Sequence, residues 1–283
     1  MSKTGLILEG GAMRGLFTAG VLDVFLENDI QFDGLIGVSA GAVFGCSYKS
    51  GQKGRSIRYN LRFCKDPRYC SFRSLIKTGD LYGAEFCYKT LPQELDPFDN
   101  DAFRRNPCEF FVVCTDTLDG SPVYTKLENA IGADIEWMRA SASMPLVSRP
   151  VVINGKQYLD GGISDSVPLK HFETKGFDKN IVILTQPKGY RKEKPSHLSM
   201  MRLMMKNTPA VYEAMCQRHE VYNQTMDYIE QKEMAGEILV IRPPRKLPVG
   251  HISHKAPKLL ETYEIGVGEG NRLIEQVRAF LTK

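Results

Sequence analysis

The sequence predicts an α/β protein: a mainly parallel sheet flanked by helices. Three observations lead there. Short β-type runs alternate with helical patterns at the start of the chain, strands recur after a looser middle stretch, and two clusters of small residues stand where a strand gives way to a helix. A chain of 283 residues with a balanced apolar fraction can bury one large core or two modest ones, so one main domain plus an extension is expected.

In order, Thr4 to Leu8 reads as a strand, Leu16 to Glu27 as a helix, Phe32 to Ile36 as a strand and Ala40 to Tyr48 as a helix. Between Lys49 and Asn106 the pattern loosens into basic and aromatic residues with several glycines and prolines, which implies helical and loop insertions over one end of the sheet. Strands return at Phe110 to Cys114, Val151 to Ile153 and Ile181 to Leu184. From about Tyr190 the composition shifts through "RKEKPSH" to a long helical stretch, Val211 to Met234, then a strand at Ile238 to Ile241. A proline-rich basic loop and a final helix near Leu260 to Leu281 close the chain. Residues 4–186 therefore read as the sheet domain and 187–283 as a mostly helical C-terminal extension, with no internal repeat or low-complexity tract.

The net charge of +4 is mild and spread along the chain, too weak a field to argue for nucleic acid as a partner. Seven cysteines, with no C-x-x-C pair, disfavour both a disulfide framework and a zinc site and fit a reduced, cytoplasmic protein. Met1-Ser2-Lys3 leads directly into strand-like sequence, without a charged-then-apolar leader, and no apolar run has spanning length. A soluble, cytoplasmic protein is expected.

The second small-residue cluster, "GVSAG" from Gly37 to Gly41, puts Ser39 on a tight strand-to-helix turn. Such a turn lifts a serine clear of the sheet as an exposed nucleophile, and larger neighbours would clash. The helix that it opens points its positive end at the same place. The first cluster, "LEGGAMRG" at Leu8 to Gly15, supplies bare backbone whose N–H groups can face the oxygen that becomes negative during acyl transfer. Gly10, Ala12 and Gly15 also approximate a dinucleotide loop. That reading wants an acid at the end of the second strand, whereas Asp33 stands at its start, and there is no G-K-[ST] for a P-loop.

A serine nucleophile needs a base. His171, His197, His219, His251 and His254 lie in helical or basic-loop surroundings that suit ordinary surface or helix-end residues. An α/β-hydrolase is disfavoured, because only one βα unit precedes Ser39. A carboxylate is the remaining candidate: Asp160 in "YLDGG" falls on the return strand of a hairpin whose turn is signalled by Asn154-Gly155, and Gly161-Gly162 would let another segment approach closely.

Together these residues resemble the patatin-like phospholipase family, which pairs a G-G-G-x-[RK]-G loop, a G-x-S-x-G turn and a D-G-[GA] aspartate in that order. The stretch "ASASMPLVSRPVVINGKQYLDGG", Ala140 to Gly162, adds specificity, and the resemblance runs from about Thr4 to Gln186. It implies a three-layer α/β/α sandwich and a Ser-Asp dyad. By position, Ser39 carries over as nucleophile, with Gly37 and Gly41 forming its elbow, and Asp160 as base, with Gly161 and Gly162 forming its turn. Gly10, Gly11, Ala12, Arg14 and Gly15 carry over as the oxyanion loop.

Two positions depart from the family pattern. Ala12 replaces the loop's third glycine, which is tolerable if φ is negative there, and Ser166 replaces an asparagine often found shortly after D-G-G. The expected activity is hydrolysis of a phospholipid or other acyl ester through an acyl-enzyme, without metal or cofactor. A catalytically silent lipid- or acyl-binding protein and a nucleotide-binding module remain as other readings. Lastly, in "HLSMMRLMMKN", Leu198, Met200, Met201, Leu203, Met204 and Met205 crowd a helical stretch beside Arg202 and Lys206. This is core packing of the extension, or else a movable cover or face in transient contact with a membrane surface.

Overall fold

The computed structural model describes residues 2–196 and 198–282. The chain opens with β1 (Lys3–Leu8), α1 (Gly15–Glu27), β2 (Gly34–Val38) and α2 (Ala40–Lys49). The insertion that follows holds α3 (Arg55–Phe63), α4 (Phe72–Thr78), a stretch of π-helix at Phe86–Leu95 and α5 (Asn100–Arg105). Next come β3 (Glu109–Asp116), β4 (Pro122–Leu127), α6 (Asp134–Ser141), β5 (Val151–Ile153), β6 (Lys156–Asp160), α7 (Leu169–Thr174) and β7 (Phe177–Ile183). The last elements are α8 (Leu198–Met204), α9 (Pro209–Met234), β8 (Ile238–Ile241) and α10 (Ala256–Thr282).

The strands form one sheet in the order β5-β6-β3-β2-β1-β7-β8, with β4 also paired to β3. β1, β2, β3, β7 and β8 run parallel, whereas β4, β5 and β6 are antiparallel additions. Central β1 is buried on both faces, and its alternation sorts the core. Leu6 and Leu8 pack with α1, α2 and α10, while Ile7 packs with α7 and α9. The result is the expected three-layer sandwich.

The C-terminal stretch is built into this sandwich. β8 pairs with β7 at the sheet edge, α9 covers one face, and α10 lies along α1 on the other, where Tyr263 donates to Asp23 Oδ2 at 2.8 Å. The sequence reading did not include β4. It ended β2 at Ile36, but parallel pairing to β3 carries β2 through Gly37 to Val38. The Asn154-Gly155 hairpin is present, with φ of 51° and 78° at its two central residues.

Candidate active site

Ser39 occupies the single residue between β2 and α2 with φ 54° and ψ −121°, a conformation that a non-glycine residue keeps only where its surroundings impose it. The packing around the turn does so. A Cβ on Gly41 would lie 2.5 Å from the carbonyl oxygen of Leu8, so α2 can start this close to β1 only with glycine there. The Ser39 carbonyl accepts the first helical bonds from Ala42 and Val43, at 3.0 and 3.1 Å, and its N–H donates to Ser141 Oγ at 3.0 Å.

The register of β3 brings Asp160 to this turn. Val38 is paired with Val113 of β3, and the next residue of β3, Cys114, is paired with Asp160. β4 occupies the other edge of β3 over the same residues, so antiparallel β6 takes the place that β2 vacates when it ends. Two residues 121 positions apart in the chain thus become neighbours through backbone pairing. A Cβ on Gly161 would lie 2.2 Å from the Val113 carbonyl oxygen, so the close approach expected of "DGG" is realised.

Asp160 is almost fully buried. Its N–H donates to the Ser143 carbonyl at 2.9 Å, its own carbonyl accepts from Thr115 Oγ1 at 2.8 Å, and its Oδ1 accepts from the Gly162 N–H at 2.7 Å. Oδ2 is buried without a hydrogen-bond partner. Burial pushes the carboxyl up to about 6, opposed by the nearby Ser39 hydroxyl, the Gly162 N–H and the charges of Arg218 and Lys192. Ser39 is therefore near enough to act on the carboxyl, although no hydrogen bond of ordinary geometry joins the two. Ser166, which stands where an asparagine was expected, donates to the Gly162 carbonyl at 2.9 Å and braces this turn.

The "LEGGAMRG" loop passes the same point. A Cβ on Gly10 would meet Ser39 Cβ at 3.1 Å. Ala12 to Arg14 form one short helical turn, at whose start amides lack intrahelical acceptors. Ala12 has φ 48°, so the condition for tolerating alanine, a negative φ, is not met: the residue sits in the left-handed region that the family's glycine would enter freely. The loop is anchored by Glu9, which sequence reasoning did not single out. Its buried carboxylate accepts from Thr185 N–H at 2.5 Å, Thr185 Oγ1 at 3.1 Å and the Tyr222 hydroxyl at 2.9 Å.

A profile described as patatin-like phospholipase matches residues 6–172, more than half of the chain. The chain belongs to the patatin-like phospholipase family. Residues 208–282 match a domain of unknown function, DUF6363. The chain is 27% identical to the uncharacterized protein YjjU of Escherichia coli over 99% of its own length and 80% of that protein's. It is 23% identical to the lysophospholipase nte1 of Aspergillus oryzae over 98% of its own length but only 18% of that much longer chain. Among solved structures, VipD from Legionella pneumophila shares the fold at a TM-score of 0.51 and 12% identity, across 98% of this chain and 67% of that one.

In this patatin-like fold Ser39, Asp160 and the Gly10 to Arg14 loop line one cavity of about 870 Å³, within the usual range for small-molecule sites. The insertion between α2 and β3 supplies much of its apolar wall, including Tyr59, Leu81, Leu91 and Phe98. Arg14, Lys192 and Arg218 also face it. His219 and His251 line it too, yet among the described residues no histidine bonds to Ser39 or Asp160. His219 Nδ1 lies 3.0 Å from the Cys216 carbonyl, His254 Nδ1 lies 2.7 Å from that of Cys64, and His171 stacks on Tyr124. His197 lies outside the described residues.

Among the described residues there is no cluster of three or more side chains fit to hold a metal, and no helix is long and apolar enough to cross a membrane. The methionine-rich stretch is only partly core. Met201 and Met205 are buried, whereas Met200, Leu203 and Met204 are exposed. Sequence reasoning missed Ser141, Lys192, Arg218 and Tyr222. Only Ser141 had a signal, as part of the "ASAS" segment whose two serines hold the Ser39 amide and the Asp160 amide.

Proposed function

We propose that this chain hydrolyses a lipid acyl ester, with Ser39 as nucleophile and Asp160 as its base. The observation that supports this best is the buried, unpartnered Oδ2 of Asp160 beside the hydroxyl of a serine held on a constrained turn, both lining a largely apolar cavity. At neutral pH a carboxyl displaced to about 6 is ionised yet basic enough to take a proton. Ser39 Oγ bonds to the ester carbonyl carbon as its proton passes to Asp160 Oδ2 and the carbonyl electron pair moves onto oxygen. Amides of Gly11 and Ala12, with the positive end of α2, hold that oxyanion, each donor contributing about 3 kcal/mol.

Collapse of the tetrahedral adduct expels the alcohol, which takes the proton back from Asp160. Water then enters by the same steps in reverse and frees the acid. No metal or cofactor takes part in this sequence of proton and acyl transfers. The name of the Aspergillus relative supports a lysophospholipid as the class of ester, and the apolar wall of the insertion suits an acyl chain. The exposed side chains of Met200, Leu203 and Met204, beside Arg202 and Lys206, suit transient contact with an anionic lipid surface. Residues 4–186 thus carry the chemistry, and 187–283 complete the cavity and this face. The test is a fluorophosphonate probe with peptide mapping: modification at Ser39 is expected, and a protein left unmodified removes the hydrolase reading.

A further inference from the structure

Three cations that line the cavity lack an ion-pair partner. Among the described residues, Arg14, Lys192 and Arg218 form no ion pair, whereas Arg191, next in the chain to Lys192, is paired with both Asp227 and Glu230. Arg14 Nε is buried with no hydrogen-bond partner. Two acids, Glu9 and Asp160, act on Lys192 and Arg218 by charge but form no ion pair with them. Both Glu9 oxygens accept from Thr185 and Tyr222, and Asp160 Oδ1 accepts from Gly162. Glu193, also lining the cavity, is exposed.

Two of these cations are held in place by α9. Arg218 and Tyr222 stand one turn apart on the same face of that helix. Arg218 Nε donates to the Gly162 carbonyl, which leaves its terminal nitrogens to the cavity. The Lys192 backbone is clamped by Asn223, its N–H donating to Oδ1 at 2.8 Å and its carbonyl accepting from Nδ2 at 3.0 Å. Its Nζ rests 4.1 Å from the centre of the Tyr222 ring. Burial, with Arg218 beside it, holds the Lys192 ammonium down at about 7, and an anion between the two would offset that penalty.

We propose that Lys192 and Arg218, together with Arg14, form an anion subsite of the active-site cavity that takes the phosphate of a phosphorylated acyl ester. Neither Lys192 nor Arg218 lies within the residues matched to the patatin-like family, and Arg218 belongs to the stretch matched to the domain of unknown function. That stretch thereby gains a role: it reads the head group while the insertion holds the acyl chain. The subsite adjoins Gly162, two residues from Asp160, so it suits an ester whose phosphate is separated from the scissile carbonyl by a short alcohol such as glycerol. This choice of substrate rests on the hydrolase reading above.

Isothermal titration on Ser39→Ala protein, which cannot turn over a lipid, tests the subsite with inorganic phosphate, glycerol 3-phosphate, glycerol and a 1-acylglycerol 3-phosphate below its micelle concentration. Glycerol 3-phosphate is expected to bind and glycerol not to. Lys192→Met and Arg218→Gln are each expected to weaken phosphate-bearing ligands roughly tenfold or more, as for loss of a hydrogen bond between charged groups. Tighter binding of the acylated phosphate than of inorganic phosphate assigns the subsite to a lipid head group. Equal binding of the two assigns it to free phosphate and overturns the substrate choice.

Because Arg218 also braces the Gly162 turn, a fall in its variant's melting temperature leaves the decision to Lys192→Met, which touches no part of that turn. Anions that do not bind, or that bind Lys192→Met as tightly as its parent, overturn the proposal. Fluorophosphonate modification of otherwise wild-type protein separates the two readings. Modified Ser39 without anion binding sinks the subsite alone, and anion binding without modification sinks the hydrolase alone.

Discussion

Replacing Asp160 with asparagine should change how stability depends on pH by an amount that follows from its burial. The folded carboxyl titrates near 6 against an ordinary value of 3.8, with burial the leading cause. Between those values the folded state binds more protons than the unfolded one, so this group's contribution to stability falls as pH rises from about 4 to about 6 and is constant above. The full displacement corresponds to roughly 3 kcal/mol, and the part expressed between pH 5 and pH 8 is about 1.4 kcal/mol. Asparagine adds a pH-independent cost for its buried amide, which cancels when the two pH values are compared. Urea unfolding followed by the single tryptophan, Trp137, is a local reporter, its ring centroid 4.8 Å from that of Tyr158 on the strand that carries Asp160. Wild type should exceed Asp160→Asn by about 1.4 kcal/mol more at pH 5 than at pH 8. In parallel, wild-type kcat/KM should rise with pH through about 6, while the variant is inactive. Parallel stability profiles for the two proteins, or turnover by the variant, would refute the assignment of Asp160 as a buried base.

Ser39→Ala and Ser39→Gly should both abolish hydrolysis of p-nitrophenyl esters. Only the glycine variant should gain stability, by about 1 kcal/mol in denaturant unfolding, because it relaxes the positive φ that alanine retains. Ala12→Gly should likewise gain about 1 kcal/mol while still reacting with a fluorophosphonate, and a loss of stability would argue against the φ of 48°. Met201→Asp should lower stability by several kcal/mol by burying a charge, whereas Met204→Asp should stay within about 0.5 kcal/mol and weaken association with anionic liposomes; equal melting temperatures would overturn that division. Chelators should leave ester hydrolysis unchanged, and activity lost on chelation but restored by one defined ion would contradict the mechanism.

The sheet was legible because its central strands are apolar throughout and stand in regular alternation with helices, as in β1 with Leu6, Ile7 and Leu8 all fully buried. β4 was not, since "PVYTKL" is mostly half-exposed and takes its place from pairing with β3 rather than from its own pattern. Ser39 and Asp160 could each be named from small neighbours that a tight turn requires. Their meeting followed only from the family resemblance, because it depends on β6 replacing β2 beside β3 at Val113 and Cys114, a tertiary pairing with no local trace. Lys192 and Arg218 were invisible for another reason. Each is one charge among many in a basic stretch or a polar helix, and only the fold shows which charges lack a partner. Glu9 was similarly hidden inside a motif read for its glycines.

These two kinds of legibility correspond to two kinds of restraint in the site. Ser39 and Asp160 are fixed by backbone: strand register, a constrained φ, and glycines that another chain segment almost touches. Among the cavity-wall side chains, Ser166 and Arg218 hold the Gly162 carbonyl and Glu9 anchors the glycine-rich loop, while Ser141 behind the wall holds the Ser39 amide. Partly buried wall residues, such as Phe98 of the insertion and His219 of α9, can vary while the register of β3 stays intact. Since α9 also covers one sheet face and reaches Glu9 through Tyr222, it cannot be removed to expose a smaller catalytic unit without opening the core around Ile229 and Met226. The proposed subsite on α9 is thus not separable from the fold that holds Ser39 and Asp160.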